Sequence, residues 1–214
     1  MELTAAINCI KRLYEAWRCR KIRGWEKIDG FLSPVEAYAL YRYAASLPRG
    51  ATVCEIGSYK GKSTVCLARG LSASGVSKLI AIDPFDCSGD HDSAITYAKE
   101  MENVSLLDQF KTNIRMMGVS DIVEIKAGRS QSFVTDVPPL DLLFIDGDHS
   151  IKGCMEDYEL YSDKVKPSGY LMFHDYDPAR KDLGPTYVLE SRVYPSLKWQ
   201  FIEKYGSLWV GKRL

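Results

Sequence analysis

The chain has 214 residues and carries 28 Lys and Arg against 28 Asp and Glu. This length suits a single domain that buries about 70% of its unfolded surface, and the balanced charge argues against nucleic acid or an anionic membrane as a partner. No apolar run reaches the roughly 18 residues of a transmembrane helix, the first residues lack a signal-peptide pattern, and the 6 cysteines form no C-x-x-C pair, so we expect a reduced, cytoplasmic protein.

The first predicted element is an amphipathic helix within residues 1–30, which we interpret as an N-terminal helical appendage. Its apolar residues recur at helical spacing and are Leu3, Ile7, Ile10, Tyr14 and Trp17. We favour packing on the domain or on a second subunit over a membrane-surface helix. The expected protein is therefore a homo-oligomer that does not bind membranes.

A second helix is predicted over 34–47, because Ser33 and Glu36 form a capping box and Pro34 takes the first helical position. From residue 51 strands and helices alternate. The predicted strands are 52–56, 79–83, 122–126, 141–146 and 170–174, and the predicted helices are 62–72, 103–117, 130–136 and 152–164. Strands that are apolar on both faces and separated by helices indicate a parallel sheet covered on both sides.

The C-terminal tail differs, because two runs at 199–204 and 208–211 flank a short turn and are typical of an antiparallel hairpin. The predicted fold is α/β: a Rossmann-like doubly wound sheet in residues 31–214, mostly parallel with a C-terminal antiparallel hairpin and helices on both faces. Two irregular loops, 84–100 and 175–187, follow strands of this sheet and are expected to contact a substrate.

The turn between the first predicted strand and the helix after it carries the clearest functional signal. Gly57 and Gly61 let the backbone bend sharply and approach a ligand, and the helix start offers free N–H groups. The spacing matches neither G-x-G-x-x-G nor the G-x-x-x-x-G-K-[ST] of P-loops. Glu55 would repel phosphate but suits a ligand with an amine. These features favour S-adenosylmethionine (SAM) over a nucleotide.

Polar groups also follow the second and third predicted strands, where doubly wound sheets hold ligands. Asp83 can accept hydrogen bonds from both ribose hydroxyls, or it can cap a turn before Pro84. Gly128 would allow an adenine ring to approach closely. Ser130 can bind that ring or cap the next helix, and the sequence favours neither role.

Asp146 and Asp175 follow neighbouring parallel strands, so we expect them to meet in one cleft. Two unpaired carboxylates repel unless a cation lies between them, and Mg²⁺ needs only two such ligands plus waters. The alternative is that the acids are solvated. His174 can add a nitrogen ligand, which favours a softer ion such as Mn²⁺. His149 would lie within reach of a bound substrate, where an imidazole can act as a general base.

Together these motifs resemble the class I SAM-dependent methyltransferases, specifically the small metal-dependent O-methyltransferases typified by catechol O-methyltransferase. They are also similar to macrolide-sugar O-methyltransferases and cephalosporin-hydroxylase-like proteins. The resemblance covers about residues 30–212. It implies cofactor contacts by Glu55, Gly57, Tyr59, Gly61, Ser63, Asp83, Gly128, Ser130 and Asp146, metal ligation by Asp146, His174 and Asp175, and His149 as the catalytic base.

Two residues depart from the family pattern. His149 stands where the catechol-type enzymes carry a catalytic lysine, and His174 stands where Asp or Glu is usual. The activity that the resemblance implies is SAM-dependent, divalent-metal-assisted methyl transfer to a hydroxyl of a small molecule such as a catechol, a sugar or a natural-product polyol. The alternatives are a protein with this fold that lacks transfer activity and, less favoured by the glycine spacing, a nucleotide-dependent oxidoreductase.

Overall fold

The computed structural model describes residues 19–75, 77–86 and 105–214. The predicted helix from Leu3 to Trp17 and residues 87–100 of the predicted substrate loop lie outside these residues. Residues 20–28, which the sequence assigned to the N-terminal appendage, bury Ile22, Trp25 and Ile28 in the main core. In the part of the chain that is described, no helix combines the length and apolarity needed to cross a membrane.

The described elements follow the predicted alternation of strand and helix. The α-helices are α1 (Pro34–Ala45), α2 (Lys62–Ser74), α3 (Leu106–Met116), α4 (Ile151–Tyr161) and α5 (Gly184–Val188). The strands are β1 (Thr52–Ile56), β2 (Lys78–Asp83), β3 (Val123–Ala127), β4 (Leu140–Ile145), β5 (Val165–Phe173), β6 (Trp199–Tyr205) and β7 (Leu208–Arg213). Short 3-10 helices cover Arg20–Ile22, Trp25–Lys27, Ser120–Ile122, Ser130–Asp136 and Ser162–Lys164, and a π-helical turn covers Leu189–Val193.

All seven strands belong to one sheet in the order β3-β2-β1-β4-β5-β7-β6. The first five strands pair in parallel, whereas β7 pairs antiparallel with both β5 and β6. One apolar cluster on α1, α2 and α3 covers one face, and a second on α4 and α5 covers the other. Neighbouring residues of a strand alternate between them, as Leu142 and Leu143 of β4 do. The predicted fold class is therefore confirmed.

Two predicted elements differ in detail. The predicted helix 130–136 is a 3-10 helix, consistent with its β-branched and hydroxyl side chains, which favour an α-helix poorly. Strand β5 begins at Val165 instead of 170. Its early part contains Pro167, which has no N–H to donate, and Ser168 with a φ of 65°, so the pairing with β4 shifts register there.

The sheet brings the functional residues together at one edge, because the carboxyl ends of parallel strands point the same way. Backbone hydrogen bonds continue past the strand ends and join Gly57 N to Ile82 O, Gly128 N to Asp83 O, Asp146 N to Ile56 O and His174 N to Ile145 O at 2.8–3.2 Å. Five consecutive strands therefore end in register along a single edge of the sheet.

Candidate functional site

The glycine turn, residues 57–61, connects β1 to α2 at this edge. Gly57 has a φ of +89°, and a Cβ at this position would lie 2.1 Å from the carbonyl oxygen of Asp146. Only glycine therefore allows the end of β1 to lie against the end of β4. Gly61, with a φ of +89°, precedes the first residue of α2 and packs on the ring of Phe110. The left-handed conformation of Gly61 therefore allows α2 to begin at Lys62.

Asp83 holds the glycine turn in place through its buried carboxylate. Its Oδ2 accepts hydrogen bonds from the backbone N–H groups of Ser58 and Tyr59, both at 2.8 Å, and its Oδ1 accepts from Phe85 N at 2.6 Å. Burial raises the pKa of Asp83 although these three bonds oppose the shift. The bond to Phe85 is the turn cap that the sequence offered as an alternative to ribose binding.

Glu55 is fully buried beneath the glycine turn. Its Oε2 accepts hydrogen bonds from Ser58 Oγ at 3.1 Å and from Thr64 Oγ1. Burial raises its pKa to about 7, because an enclosed carboxylate loses its hydration. Glu55 does not belong to the cavity lining described below and supports the turn from behind, and its contact with a cofactor amine stays a prediction.

A cavity of about 320 Å³ extends over the strand ends. This volume falls within the range of small-molecule sites. The cavity brings together most of the residues that the sequence singled out, namely Gly57, Tyr59, Ser63, Asp83, Gly128, Ser130, Asp146, His149, His174 and Asp175. Glu55 and Gly61 are the two predicted site residues that do not line it.

A segment before α1 forms part of the cavity wall, which the sequence did not indicate. Lys62 Nζ donates a hydrogen bond to the carbonyl of Gly30 at 3.0 Å, and Lys60 Nζ lies 3.2 Å from Asp29 Oδ2. Lys60 in the glycine turn and Lys62 at the start of α2 therefore hold residues 29 and 30 in place. This arrangement places Phe31 in the cavity lining with 71% of its surface exposed.

Two acids and two histidines cluster at the ends of β4 and β5. His149 Nε2 lies 3.2 Å from Asp175 Oδ2 and 3.6 Å from Asp146 Oδ1. His174 Nδ1 lies 3.1 Å from Asp146 Oδ1 and 3.3 Å from Asp175 Oδ2. The predicted meeting of Asp146 and Asp175 is therefore present, and each histidine contacts both acids.

His174 is a buried partner of this cluster, with 3% of its surface exposed. Burial alone would lower its pKa, but the charge of Asp146 and the close carboxylates of Asp146, Asp175 and Glu36 raise the pKa well above its usual value. The Glu36 contact comes from α1, where its Oε2 lies 3.7 Å from His174 Nε2. The capping-box pattern located Glu36 in the sequence, but nothing in that pattern connects it with His174.

Ser130 and Asp157 join the loop after β3 to helix α4. The Ser130 hydroxyl donates to Asp157 Oδ1 at 2.5 Å, and the Tyr161 hydroxyl donates to the Ser130 carbonyl at 2.6 Å. Ser130 is itself the first residue of the 3-10 helix, whose N-cap residue is Arg129 and which has no side-chain cap hydrogen bond. Burial raises the pKa of Asp157 to about 6. Sequence analysis missed Asp157, although an acid between Cys154 and Tyr161 on the buried face of a helix was a signal.

The sequence model of a family described as "Methyltransferase domain" matches residues 54–176, which is more than half of the chain. The chain belongs to this methyltransferase domain family. The match runs from β1 to just beyond β5 and so includes the cavity lining that these strand ends provide. The relationship to the class I SAM-dependent methyltransferases predicted from the motifs is confirmed.

Solved O-methyltransferase structures share the fold. NovP is 16% identical with a TM-score of 0.63 and is matched over 85% of this chain and 80% of its own. TomG from Streptomyces achromogenes, solved in complex with SAM, is 17% identical with a TM-score of 0.60, over 93% and 88%. The O-methyltransferase from Bacillus cereus in complex with SAH is 17% identical with a TM-score of 0.61, over 94% and 91%. At such identities the likeness establishes the fold alone.

A curated relative comes from a virus. The uncharacterized protein R132 of Acanthamoeba polyphaga mimivirus is 30% identical over 131 residues. The aligned region is 60% of this chain and 53% of that protein, so the chain spans about half the length of the curated relative it matches.

The lining of this methyltransferase domain fits a cationic ligand such as SAM better than a dinucleotide. Its acidic side chains outnumber its lysines and arginines: Asp83, Asp146, Asp148, Glu156, Asp157 and Asp175 against Lys62, Arg129 and Lys152. A pyrophosphate would meet net repulsion in such a cavity, whereas a sulfonium and an ammonium would be attracted. The charged residues of the lining therefore agree with SAM, the cofactor predicted from the sequence.

The acidic cluster also fits a divalent cation, but with a different histidine from the predicted one. Ligand atoms of Asp146, His149 and Asp175 all lie within 4.8 Å of one another. The sequence assigned the nitrogen ligand to His174. His174 is not one of these three residues, although its Nδ1 lies 3.1 Å from Asp146 Oδ1 and 3.3 Å from Asp175 Oδ2. The structure therefore adds His149 as a candidate nitrogen ligand, and metal ligation by His174 stays a prediction.

Proposed function

We propose that this chain transfers a methyl group from SAM to a hydroxyl of a small molecule. The observation that carries the proposal is the position of His149 in the wall of an acid-lined cavity, with Nε2 3.2 Å from Asp175 Oδ2. A methyltransferase domain with a titratable nitrogen and two carboxylates at the end of its cavity has the groups that hydroxyl deprotonation requires. The names of NovP, TomG and the Bacillus cereus protein as O-methyltransferases support the same class.

The residues of the glycine turn and the strand ends would hold SAM. Backbone at Gly57 and the side chains of Tyr59 and Ser63 line the part of the cavity next to α2, where we assign the methionine moiety. Asp83 is assigned to the ribose, because, among the described residues, its Oδ1 accepts only the hydrogen bond from Phe85 N and so keeps one acceptor site. Gly128 and Ser130 are assigned to the adenine.

When bound, SAM supplies an electrophilic methyl group, and a divalent cation supplies positive charge that lowers the pKa of an acceptor hydroxyl. Asp146, His149 and Asp175 would hold the cation, with Mg²⁺ or Mn²⁺ suited to two carboxylates and one imidazole. The same nitrogen cannot both bind a cation and accept a proton. In a cation-free site, we assign His149 Nε2 as the acceptor of the hydroxyl proton, with Asp175 stabilising the resulting imidazolium.

The test combines binding with turnover. Isothermal titration calorimetry with S-adenosylhomocysteine (SAH), the product that SAM leaves after methyl transfer, should give a micromolar Kd. In a turnover assay, SAH should form from SAM with at least one member of a panel of catechols, sugars and polyols. His149→Ala should reduce turnover by about 100-fold or more with little change in the Kd for SAH. Glu159→Gln is the matched control, because Glu159 is exposed on α4 outside the cavity lining.

Adding EDTA and then Mg²⁺ or Mn²⁺ distinguishes a site in which His149 binds a cation from one in which His149 accepts the hydroxyl proton. Loss of turnover in EDTA that the cation restores supports ligation by His149, whereas equal turnover in EDTA supports His149 as the base. Binding of NADH without binding of SAH would overturn the proposal in favour of an oxidoreductase. SAH binding without transfer to any acceptor would favour the non-catalytic alternative.

A further inference from the structure

The two edge strands of the sheet differ in the side chains that they present. β3 forms one edge and β6 forms the other. On β3, Lys126 Nζ lies 3.0 Å from Glu124 Oε1 and 3.3 Å from Asp136 Oδ2. Glu124 also forms an ion pair with Lys78 of β2. Charged side chains of this kind protect an edge strand against pairing with another chain. We therefore do not expect association through β3.

The centre of β6 is apolar and exposed. All five residues between Trp199 and Tyr205 are exposed, although they belong to a strand. Two of them are apolar, with exposed fractions of 51% for Phe201 and 38% for Ile202. Among the described residues β6 pairs with β7 alone, so the backbone groups along its outer side have no strand partner. Such an edge can accept an added strand.

The charges of β6 do not oppose pairing of the strand with a copy of itself. Glu203 Oε2 lies 3.6 Å from Arg42 Nη2, and Lys204 Nζ lies 5.1 Å from the centre of the Tyr176 ring. Both charges are therefore engaged with side chains of their own chain, and together they cancel. The whole chain has 28 basic and 28 acidic residues, so two copies meet no net repulsion.

An apolar patch adjoins the exposed centre of β6. The rings of Phe201 and Tyr194 both pack on the buried ring of Trp209, with ring centres 6.0 and 6.1 Å apart. Tyr194 is 41% exposed and Leu197 is 80% exposed. Together with Ile202, Tyr194, Leu197 and Phe201 form what we call the β6 patch. It exposes roughly 400 Å² per copy, about half of the area that each partner buries in a standard interface. The backbone and polar side chains of an added strand would supply much of the remainder.

We propose that two copies of this chain form a dimer in which their β6 strands pair antiparallel and bury the β6 patch. A two-fold axis perpendicular to the sheet makes this contact self-complementary, because each copy offers the same strand to the other. The two seven-stranded sheets would join into one continuous sheet. The contact uses the β6 edge of both copies and leaves only the charged β3 edges outside. The assembly is therefore a closed dimer instead of a filament.

Sedimentation over a series of protein concentrations tests the assembly. The wild-type chain should be a dimer at micromolar concentration and should dissociate on dilution. Phe201→Glu and Ile202→Lys should each weaken the dimer by about 100-fold or more, because each places an unpaired charge in the contact. Both side chains are partly exposed in the single chain, so the circular dichroism spectrum should not change. Met116→Lys is the matched control, because Met116 is an apolar residue of α3 with 73% of its surface exposed.

Hydrogen exchange tests whether the strands themselves pair. In concentrated wild-type protein, the amides of residues 199–205 should exchange about tenfold more slowly than in dilute protein, while those of β3 should not change. A wild-type chain that stays monomeric at high micromolar concentration would overturn the proposal. A dimer that both Phe201→Glu and Ile202→Lys leave intact would place the interface elsewhere and also overturn it. Exchange in β6 that does not respond to concentration would exclude strand pairing. None of these outcomes depends on SAM binding or on methyl transfer.

Discussion

His174 Nδ1 lies 3.1 Å from Asp146 Oδ1, so a buried imidazole and the carboxylate that follows β4 form a pair. The other ring nitrogen of His174 lies 3.7 Å from Glu36 Oε2 on α1. Glu36 also accepts hydrogen bonds from the N–H and hydroxyl of Ser207, at 2.7 and 2.9 Å, in the turn between β6 and β7. One imidazole therefore connects the candidate site to α1 and, through Glu36, to the C-terminal hairpin.

Replacing His174 by Gln should destabilise the chain without removing its metal affinity. The change leaves Glu36 and Asp146 without their shared positive charge, and removing one member of a buried ionic group costs about 3–5 kcal/mol. His149→Gln is the matched substitution in a more exposed imidazole. Urea unfolding should show the larger loss for His174→Gln, while titration with Mn²⁺ should show at least a tenfold loss of affinity for His149→Gln alone. The opposite pattern for Mn²⁺ would restore His174 as the ligand.

Gly57→Ala tests the contact between the ends of β1 and β4. The new Cβ would lie 2.1 Å from the Asp146 carbonyl oxygen, which forces the strand ends apart. Gly50 has a similar φ, +82° against +89°, but no atom lies within 4 Å of a Cβ built there. Gly50→Ala should therefore cost only the backbone strain of about 1–2 kcal/mol. Gly57→Ala should cost several kcal/mol more and abolish SAH binding, as measured by urea unfolding and calorimetry. Equal losses of stability in Gly57→Ala and Gly50→Ala would mean that the contact between Gly57 and the Asp146 carbonyl does not affect stability.

Asp83→Asn should weaken SAH binding for two reasons that one experiment can separate. The NH₂ group of an Asn side chain would face backbone N–H groups that now donate hydrogen bonds to Asp83. The loss of these bonds should destabilise the glycine turn by about 2–3 kcal/mol. If Asp83 also contacts the ribose, wild-type protein should bind 2′-deoxy-SAH about tenfold more weakly than SAH, and Asp83→Asn should bind both equally. The exposed neighbour Asp86 provides the control Asp86→Asn. An unchanged preference in Asp83→Asn would limit Asp83 to supporting the turn.

The sheet and the edge that carries the site could be predicted from the sequence because both depend on local patterns. Apolar runs followed directly by a glycine or an acid mark the ends of β1, β2 and β4, and the structure has all three strands at those positions. The residues that the sequence missed act over long chain separations. Glu36 reaches His174, and Asp157 reaches Ser130, through tertiary packing that no spacing rule encodes.

The sequence also could not show which of the two histidines is better placed to bind a cation, and the cause is similar. The sequence places His149 and His174 close to the ends of neighbouring strands, but it does not give the direction of either side chain. Both histidines line the cavity, but His174 follows β5 immediately and is buried, whereas His149 follows Gly147 and Asp148 and is partly exposed. The small-molecule acceptor, the homo-oligomer and the cytoplasmic location stay predictions, as does the domain boundary at residue 30.

Glu55 should make the stability of the chain depend on pH. Among the described residues no group forms a hydrogen bond with its Oε1, and burial raises its pKa from 4.5 to about 7. Because the folded chain holds this proton more tightly than the unfolded chain, stability is full below about pH 4.5 and falls as the pH rises to 7. The total loss is about 3 kcal/mol, at about 1.4 kcal/mol per pKa unit. Asp157, with its pKa raised to about 6, acts in the same direction over a lower range.

Glu55→Gln removes this titration, since the amide stays neutral at every pH. Urea unfolding at pH 5, 6, 7 and 8 should give a flatter profile for the variant, in which the slopes from Asp83, Asp157 and His174 remain. The variant should therefore become more stable than the wild-type chain at pH 8, where Glu55 is ionised in an enclosed site. Glu159→Gln, an exposed acid on α4, should follow the wild-type profile. Parallel profiles for wild type and Glu55→Gln would mean that Glu55 is charged throughout and that Ser58 and Thr64 stabilise its carboxylate fully.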